Sequence, residues 1–188
     1  MIKVYWSPVI NVPDNQEFVS ELKYYEPETI YKDINAREFF GLGAGMCPAI
    51  VDEAKNTFRA KSPIDFHIKF DYANQQASSK YDIDVNFLMN YIGGPNDEHV
   101  HQLDHPCFLF FADKPLTMTQ LHPYYEETQF SSVTMGISGT YNISSWIRPV
   151  RPAFKFKKNE NEIDITRGDT LCYFKFNTTE KIKMVRFD

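Results

Sequence analysis

The stretch "IDFHIKFDY", residues 64–72, decides how this chain folds. Its side chains alternate with a period of two. Ile64, Phe66, Ile68 and Phe70 fall on one side, and Asp65, His67, Lys69 and Asp71 on the other. Successive side chains of an extended chain point to opposite faces, so this pattern is a strand with one face in a core and one toward water.

The same reading spreads along the chain. "YDIDVNFLM" (81–89) places Ile83, Val85 and Phe87 inward, and "PLTMTQLHP" (115–123) alternates through Leu116, Met118 and Gln120. "CFLFFAD" (107–113) is a continuous apolar run, which predicts a strand covered on both faces. "AFKFK", "EIDIT", "DTLCYFKF" and "KIKMVRF" follow in close order between 153 and 187. Between them, "KKNENE" (157–162) reads as a hairpin loop. "TRGD" (166–169) reads as a turn in which Gly168 can take positive φ, and "NTTEK" (177–181) separates the last two strands. Strands recurring every 8 to 12 residues or so with turn signals between them indicate a sandwich, jelly roll or barrel.

Helix is scarce. "CPAIVDEAKNTFRA" (47–60) predicts one, with Pro48 in the first turn, Asp52 and Glu53 early, and an apolar stripe of Ala49, Ile50, Ala54 and Phe58. "DNQEFVSELKYY" (14–25) predicts a second, capped by Asp14 or Asn15. No repeat, low-complexity tract or linker interrupts the 188 residues. The expected fold is therefore mainly β, a jelly roll or β-sandwich in one domain over 1–188, with one or two short helices in its N-terminal part.

Composition agrees. The chain is 43% hydrophobic with 16 Phe and 11 Tyr, and flat rings pack well on pleated surfaces. A net charge of −5 leaves no overall basic footprint for nucleic acid. Cys47, Cys107 and Cys172 are odd in number and lack C-x-x-C spacing, which argues against a disulfide framework or a thiolate zinc site. No basic stretch followed by an apolar one opens the chain, and no run of about 18 apolar residues occurs in it. The expectation is a reduced cytoplasmic protein without a membrane span, for which the sequons at Asn142 and Asn177 carry no meaning.

The chemistry-bearing stretch is "NDEHVHQLDHP" (96–106), with three of the five histidines. His99 and His101 share a face if it is extended. An H-x-H pair of this kind, completed by His122, suits a transition metal such as Fe, Zn, Ni or Mn, as in a cupin-like enzyme. His105, Glu126 and Glu127 are further candidates. The competing reading is a polar strand that turns at Pro106. Ligation as in a 2-oxoglutarate oxygenase fails on spacing, because no histidine follows His122.

"SSWIRPVRP" (144–152) holds Arg148 and Arg151 on a stiff segment beside Trp146. They are candidates to clamp an anion, against the plainer pairing with acidic neighbours. "FFGLGAG" (39–45) lacks the preceding strand a dinucleotide fold needs and reads as a flexible loop. Cys47 precedes a helix start, where a thiol can be activated. Ser138, between Gly136 and Gly139, misses the nucleophile-elbow spacing. Exposed aromatics at Tyr24, Tyr25, Tyr124 and Tyr125 suggest a surface for a protein partner or for self-association as a dimer.

"YNISSWIRPVRPAFKF" and "EIDITRGDTLCYFKF" resemble an uncharacterised domain-of-unknown-function family of bacteria and T4-like marine tailed phages. The matching positions are Asn142, Trp146, Arg148, Pro149, Gly168, Asp169, Leu171 and Cys172. The resemblance covers the last third of the chain well and the middle loosely. It implies a β-rich fold and a phage-type binding or assembly module, cytoplasmic in the host or virion-associated.

Overall fold

The alternation at 64–72 folds as its pattern requires. The computed structural model describes residues 1–9, 26–35, 47–74, 76–82, 84–85, 89–93, 99–104 and 107–187. The helix expected at 14–25, the glycine loop at 39–45, His105, Ile83, Phe87, Tyr24 and Tyr25 lie outside them.

Two sheets form a first sandwich. One has the order β12 (Pro149–Val150), β8 (Phe108–Ala112), β1 (Ile2–Pro8) and β16 (Ile182–Arg186). Here β1 runs antiparallel to β8 and parallel to β16, so strands from the two ends of the chain lie side by side. The facing sheet is antiparallel: β11 (Gly139–Asn142), β9 (Thr117–Leu121), β15 (Thr170–Phe176), β3 (Thr57–Lys61) and β2 (Glu28–Thr29). Val4, Trp6, Phe108 and Phe110 meet Met118, Cys172, Phe174 and Phe176 between them. Phe110 and Phe108 pack edge-on against Phe174, with ring centroids 4.9 and 5.5 Å away. Each such buried ring or aliphatic side chain stabilises the fold by roughly 1.5–3 kcal/mol.

Two further sheets enclose a second core. One is β14 (Glu162–Ile165), β4 (Phe66–Asp71) and β5 (Gln76–Ser78). The other is β10 (Thr134–Gly136), β13 (Ala153–Phe156), β7 (His99–Leu103) and β6 (Met89–Gly93). Ile64, Phe66, Ile68 and Phe70 all enter this core, with Ile163, Ile165, Leu103 and Phe154. Three short helices complete the described structure: α1 (Tyr31–Asn35), α2 (Pro48–Ala54) and α3 (Gln129–Val133). No helix among the described residues is long and apolar enough to cross a membrane.

The mainly β sandwich matches expectation, and several local readings are corrected. "KKNENE" does not close a hairpin. It joins β13 to β14, which pair with other strands in different sheets. "TRGD" is a turn with Gly168 at φ 95°, and "NTTEK" follows it, but both also carry the chain from one sheet to another. Turn chemistry bends the backbone; it does not say whether the flanking strands pair. The helix at 47–60 stops at Ala54, and Phe58 lies on β3. Asp52 and Glu53 fall after its first turn. Of the strand expected at 81–89, Met89 lies on β6, while the described residues Tyr81, Asp82, Asp84 and Val85 are not in a strand, although Val85 is buried. In "CFLFFAD", Phe108 and Phe110 are buried, but Leu109 and Phe111 are half-buried. Phe111 stacks on Tyr5 at 4.7 Å, an aromatic pair that partly shields the outer face. His67, expected toward water, is 6% exposed. Its Nδ1 accepts from the Lys80 backbone N–H at 3.1 Å, so its Nε2 donates to Glu162 at 2.7 Å.

Asn56 explains why the helix stops where it does. Its φ is 59°, a left-handed conformation that Asn tolerates better than most residues. Its side-chain N–H groups donate to the carbonyls of Thr178 and Glu180 at 3.0 and 2.7 Å, and its Oδ1 accepts from Ile182 N at 3.1 Å. One side chain thus ties the helix–strand corner to the arch between β15 and β16. Asn56→Ala should lower unfolding free energy in urea by about 2–4 kcal/mol, from lost hydrogen bonds and backbone strain. Asn56→Gly should recover only the strain component.

Candidate functional site

On β7, His99 and His101 share a face, as an extended H-x-H pair must. Both lie against Tyr72: its ring stacks on His99 at 4.5 Å, and its hydroxyl is 3.3 Å from His101 Nε2. The setting is aromatic. Phe70, Phe154 and Phe156 surround the His101 ring at centroid distances of 4.8, 5.4 and 5.1 Å, and His101 is fully buried. Burial, and secondarily the neighbouring His99, push the His101 pKa down from 6.5 to about 4, so the ring is neutral near neutral pH.

His122 is elsewhere. It follows the end of β9, whose neighbours are β11 and β15, whereas β7 lies between β6 and β13. The set His99, His101 and His122 is therefore not assembled. Among the described residues no group of three or more His, Cys, Asp or Glu side chains is placed to hold a metal ion. The reason is topological: His122 follows a strand of another sheet and meets the pair's sheet at β10, which β13 separates from β7.

His122 instead forms part of an open cleft of about 600 Å³, with Tyr124, Tyr125, Glu127, Ser132 and Lys157 in its wall. Its Nδ1 accepts from the Gly136 backbone N–H at 2.9 Å, which places the proton of the neutral ring on Nε2. Burial lowers the His122 pKa, partly opposed by a hydrogen bond to the Ser131 backbone. The approach of β10 is close: a Cβ on Gly136 would lie 3.0 Å from His122 Cα, Cβ and Nδ1.

Short α3 forms another side of the cleft. Thr128 caps it with a reciprocal box, accepting from Ser131 N at 3.1 Å while Ser131 Oγ accepts from Thr128 N at 2.9 Å. Lys157 caps the other end, donating to the carbonyls of Ser131 and Ser132 at 3.0 and 2.7 Å. Glu126 also lines the cleft, but its carboxylate is held by the protein's own groups. It accepts from Arg59 and Tyr173 at 3.3 Å each, and from Thr170. Burial alone would lower the Arg59 pKa, but Glu126, Glu28 and Asp33 outweigh it and raise it. Sequence reading singled out His122, Glu126 and Glu127 as ligands and Tyr124 and Tyr125 as surface aromatics, but not that they share a cleft with Ser131, Ser132 and Lys157, which come from α3 and the residue after β13; the Gly136 contact has no sequence signature at all.

The remaining candidates separate. Arg148 is exposed with its guanidinium 5.7 Å from the centre of the Trp146 ring, while Arg151 pairs with Asp104 at 2.7 Å. The two arginines thus take different partners. Cys47 is exposed at the N-cap of a two-turn helix and forms no side-chain cap hydrogen bond. Cys107 and Cys172 are buried, and burial pushes the Cys107 thiol up to about 11. Tyr124 is exposed and Tyr125 half-buried. The chain matches no protein-family model, no curated protein and no solved structure.

Two measurements follow from this geometry. Between pH 6.5 and 4 the unfolded chain protonates His101 and the folded chain does not. Its contribution is intact above pH 6.5 and falls by about 3 kcal/mol as pH drops to 4. His101→Phe, which fits the ring cage, should flatten that part of the pH profile of urea stability. Gly136→Ala should lower stability by about 1–3 kcal/mol by overpacking, with displaced His122 resonances in NMR spectra.

Proposed function

We propose that this chain is a binding or assembly module built on a phage-type β-sandwich, with its ligand received in the cleft beside His122. One observation carries the reading: His122, Glu126 and Lys157, three of the groups there that could perform acid–base chemistry, are already bonded to the protein's own atoms. His122 is held by Gly136, Glu126 by Arg59, Thr170 and Tyr173, and Lys157 by two helix carbonyls. Rings, hydroxyls, one N–H of Lys157 and the exposed Glu127 carboxylate are left to meet a ligand. A cupin-like metal enzyme is disfavoured because the H-x-H pair is walled by Phe and Tyr rings.

Association with a protein partner or a second copy belongs to the same proposal. Trp146, Ile147 and Met135 expose large apolar side chains at 41%, 61% and 53%. Such surface is common at assembly contacts. Host cytoplasm or a virion are the settings it suits.

The test is metal content together with mapped binding. Protein purified without chelator should carry no stoichiometric Fe, Zn, Ni or Mn. A screen of small polar compounds by amide NMR should concentrate its shifts at residues 122–127, 131–132 and 157. One equivalent of metal that disappears in the His99→Ala, His101→Ala double variant would overturn the proposal.

A further inference from the structure

The cleft has a composition that selects a ligand class. Its aromatic wall is the pair Tyr124 and Tyr125, with ring centroids 4.4 Å apart and planes tilted by 50°. Tyr173 braces both from below, edge-on to Tyr124 at 5.5 Å and 6.0 Å from Tyr125. Tyr173 is fully buried on β15, so the brace is rigid, while Tyr124 remains 49% exposed. Rings fixed in this way offer apolar area at little conformational cost on binding.

The polar wall is mixed in its hydrogen bonding. Lys157 spends two of its three N–H donors on the carbonyls of Ser131 and Ser132, leaving one. Ser132 Oγ donates to the Gln129 carbonyl at 2.7 Å, leaving lone pairs to accept. Glu127 is exposed and can only accept when ionised. A ligand meeting these groups must both donate and accept, as a hydroxyl does.

Charge narrows the class further. The Glu126 carboxylate is matched by Arg59, and the Glu127 and Lys157 charges offset each other. The chain as a whole carries −5, which works against a phosphate or another polyanion. The volume of about 600 Å³ lies within the range typical of small-ligand sites, roughly 300–1,000 Å³.

We infer that the cleft takes an uncharged pyranose sugar of an oligosaccharide, its C–H face on the Tyr124–Tyr125 pair and its hydroxyls on Lys157, Ser132 and Glu127. A pyranose presents an apolar face of C–H bonds and a rim of hydroxyls that donate and accept. This inference rests on the binding-module reading and names its ligand.

The experiment is an amide NMR titration of the full chain with maltohexaose, cellohexaose and laminarihexaose, and separately with inorganic phosphate and tetramethylammonium. At least one saccharide should give saturable shifts at 122–127, 131–132 and 157. Tyr124→Ala or Tyr125→Ala should weaken that binding about tenfold, and Tyr→Phe at the same position should retain most of it. Retention in the Phe variants separates loss of the ring from loss of the fold. If phosphate or tetramethylammonium alone shifts the cleft, the sugar assignment falls and the binding-module reading stands. Absence of cleft shifts with all three saccharides also overturns the assignment. Stoichiometric metal at His99 and His101 would sink the underlying reading instead.

Discussion

Strand β15 is the constraint on which the rest of this structure depends. Its side chains leave alternately for different layers. Cys172, Phe174 and Phe176 enter the core between the first two sheets, while Tyr173 faces the other way onto Ile30 and Ala54. Leu171 reaches the second core. All five are 3% exposed or less. Lys175 alone on this strand is half-exposed, so a shift of register by one residue would exchange the occupants of every layer at once. β15 therefore pins β3 and β9 on either side of it, and through them the helices and the second core.

The clamp on Glu126 follows from that register. Tyr173 lies opposite Arg59 across β15 and β3, and both bond the Glu126 carboxylate. A carboxylate only 18% exposed is tolerated because it is matched by a guanidinium and two hydroxyls. Glu126 is thereby anchored within the 122–127 segment that lines the cleft. The same buried tyrosine braces the Tyr124–Tyr125 pair. Fold and candidate site thus share one side chain.

Much of the strand content was legible because period-two alternation is a local signal. Ile64 to Phe70, Leu116 to Gln120 and the final strands all fall where their patterns place them. Readings failed where a local pattern met a non-local partner. Alternation assigned His67 to water, yet the Lys80 backbone crosses over it. The apolar stripe of 47–60 continued through Phe58, yet Asn56 turns the chain because its side chain finds the β15–β16 arch. Helix α3 spans five residues, too few to show a period, and is held by its caps.

The histidines show the same division. That His99 and His101 share a face followed from extended backbone alone. That they meet Tyr72 and Phe70 rather than His122 depended on which strands became neighbours. Composition and alternation determined the class of fold, a mainly β sandwich with little helix, because burying one face of each strand is a requirement each strand carries within itself. Sheet order, the arches in place of hairpins, and the cleft of His122, Tyr124 and Lys157 were decided by tertiary structure. They require residues far apart in the chain to meet, and no short stretch encodes its partner.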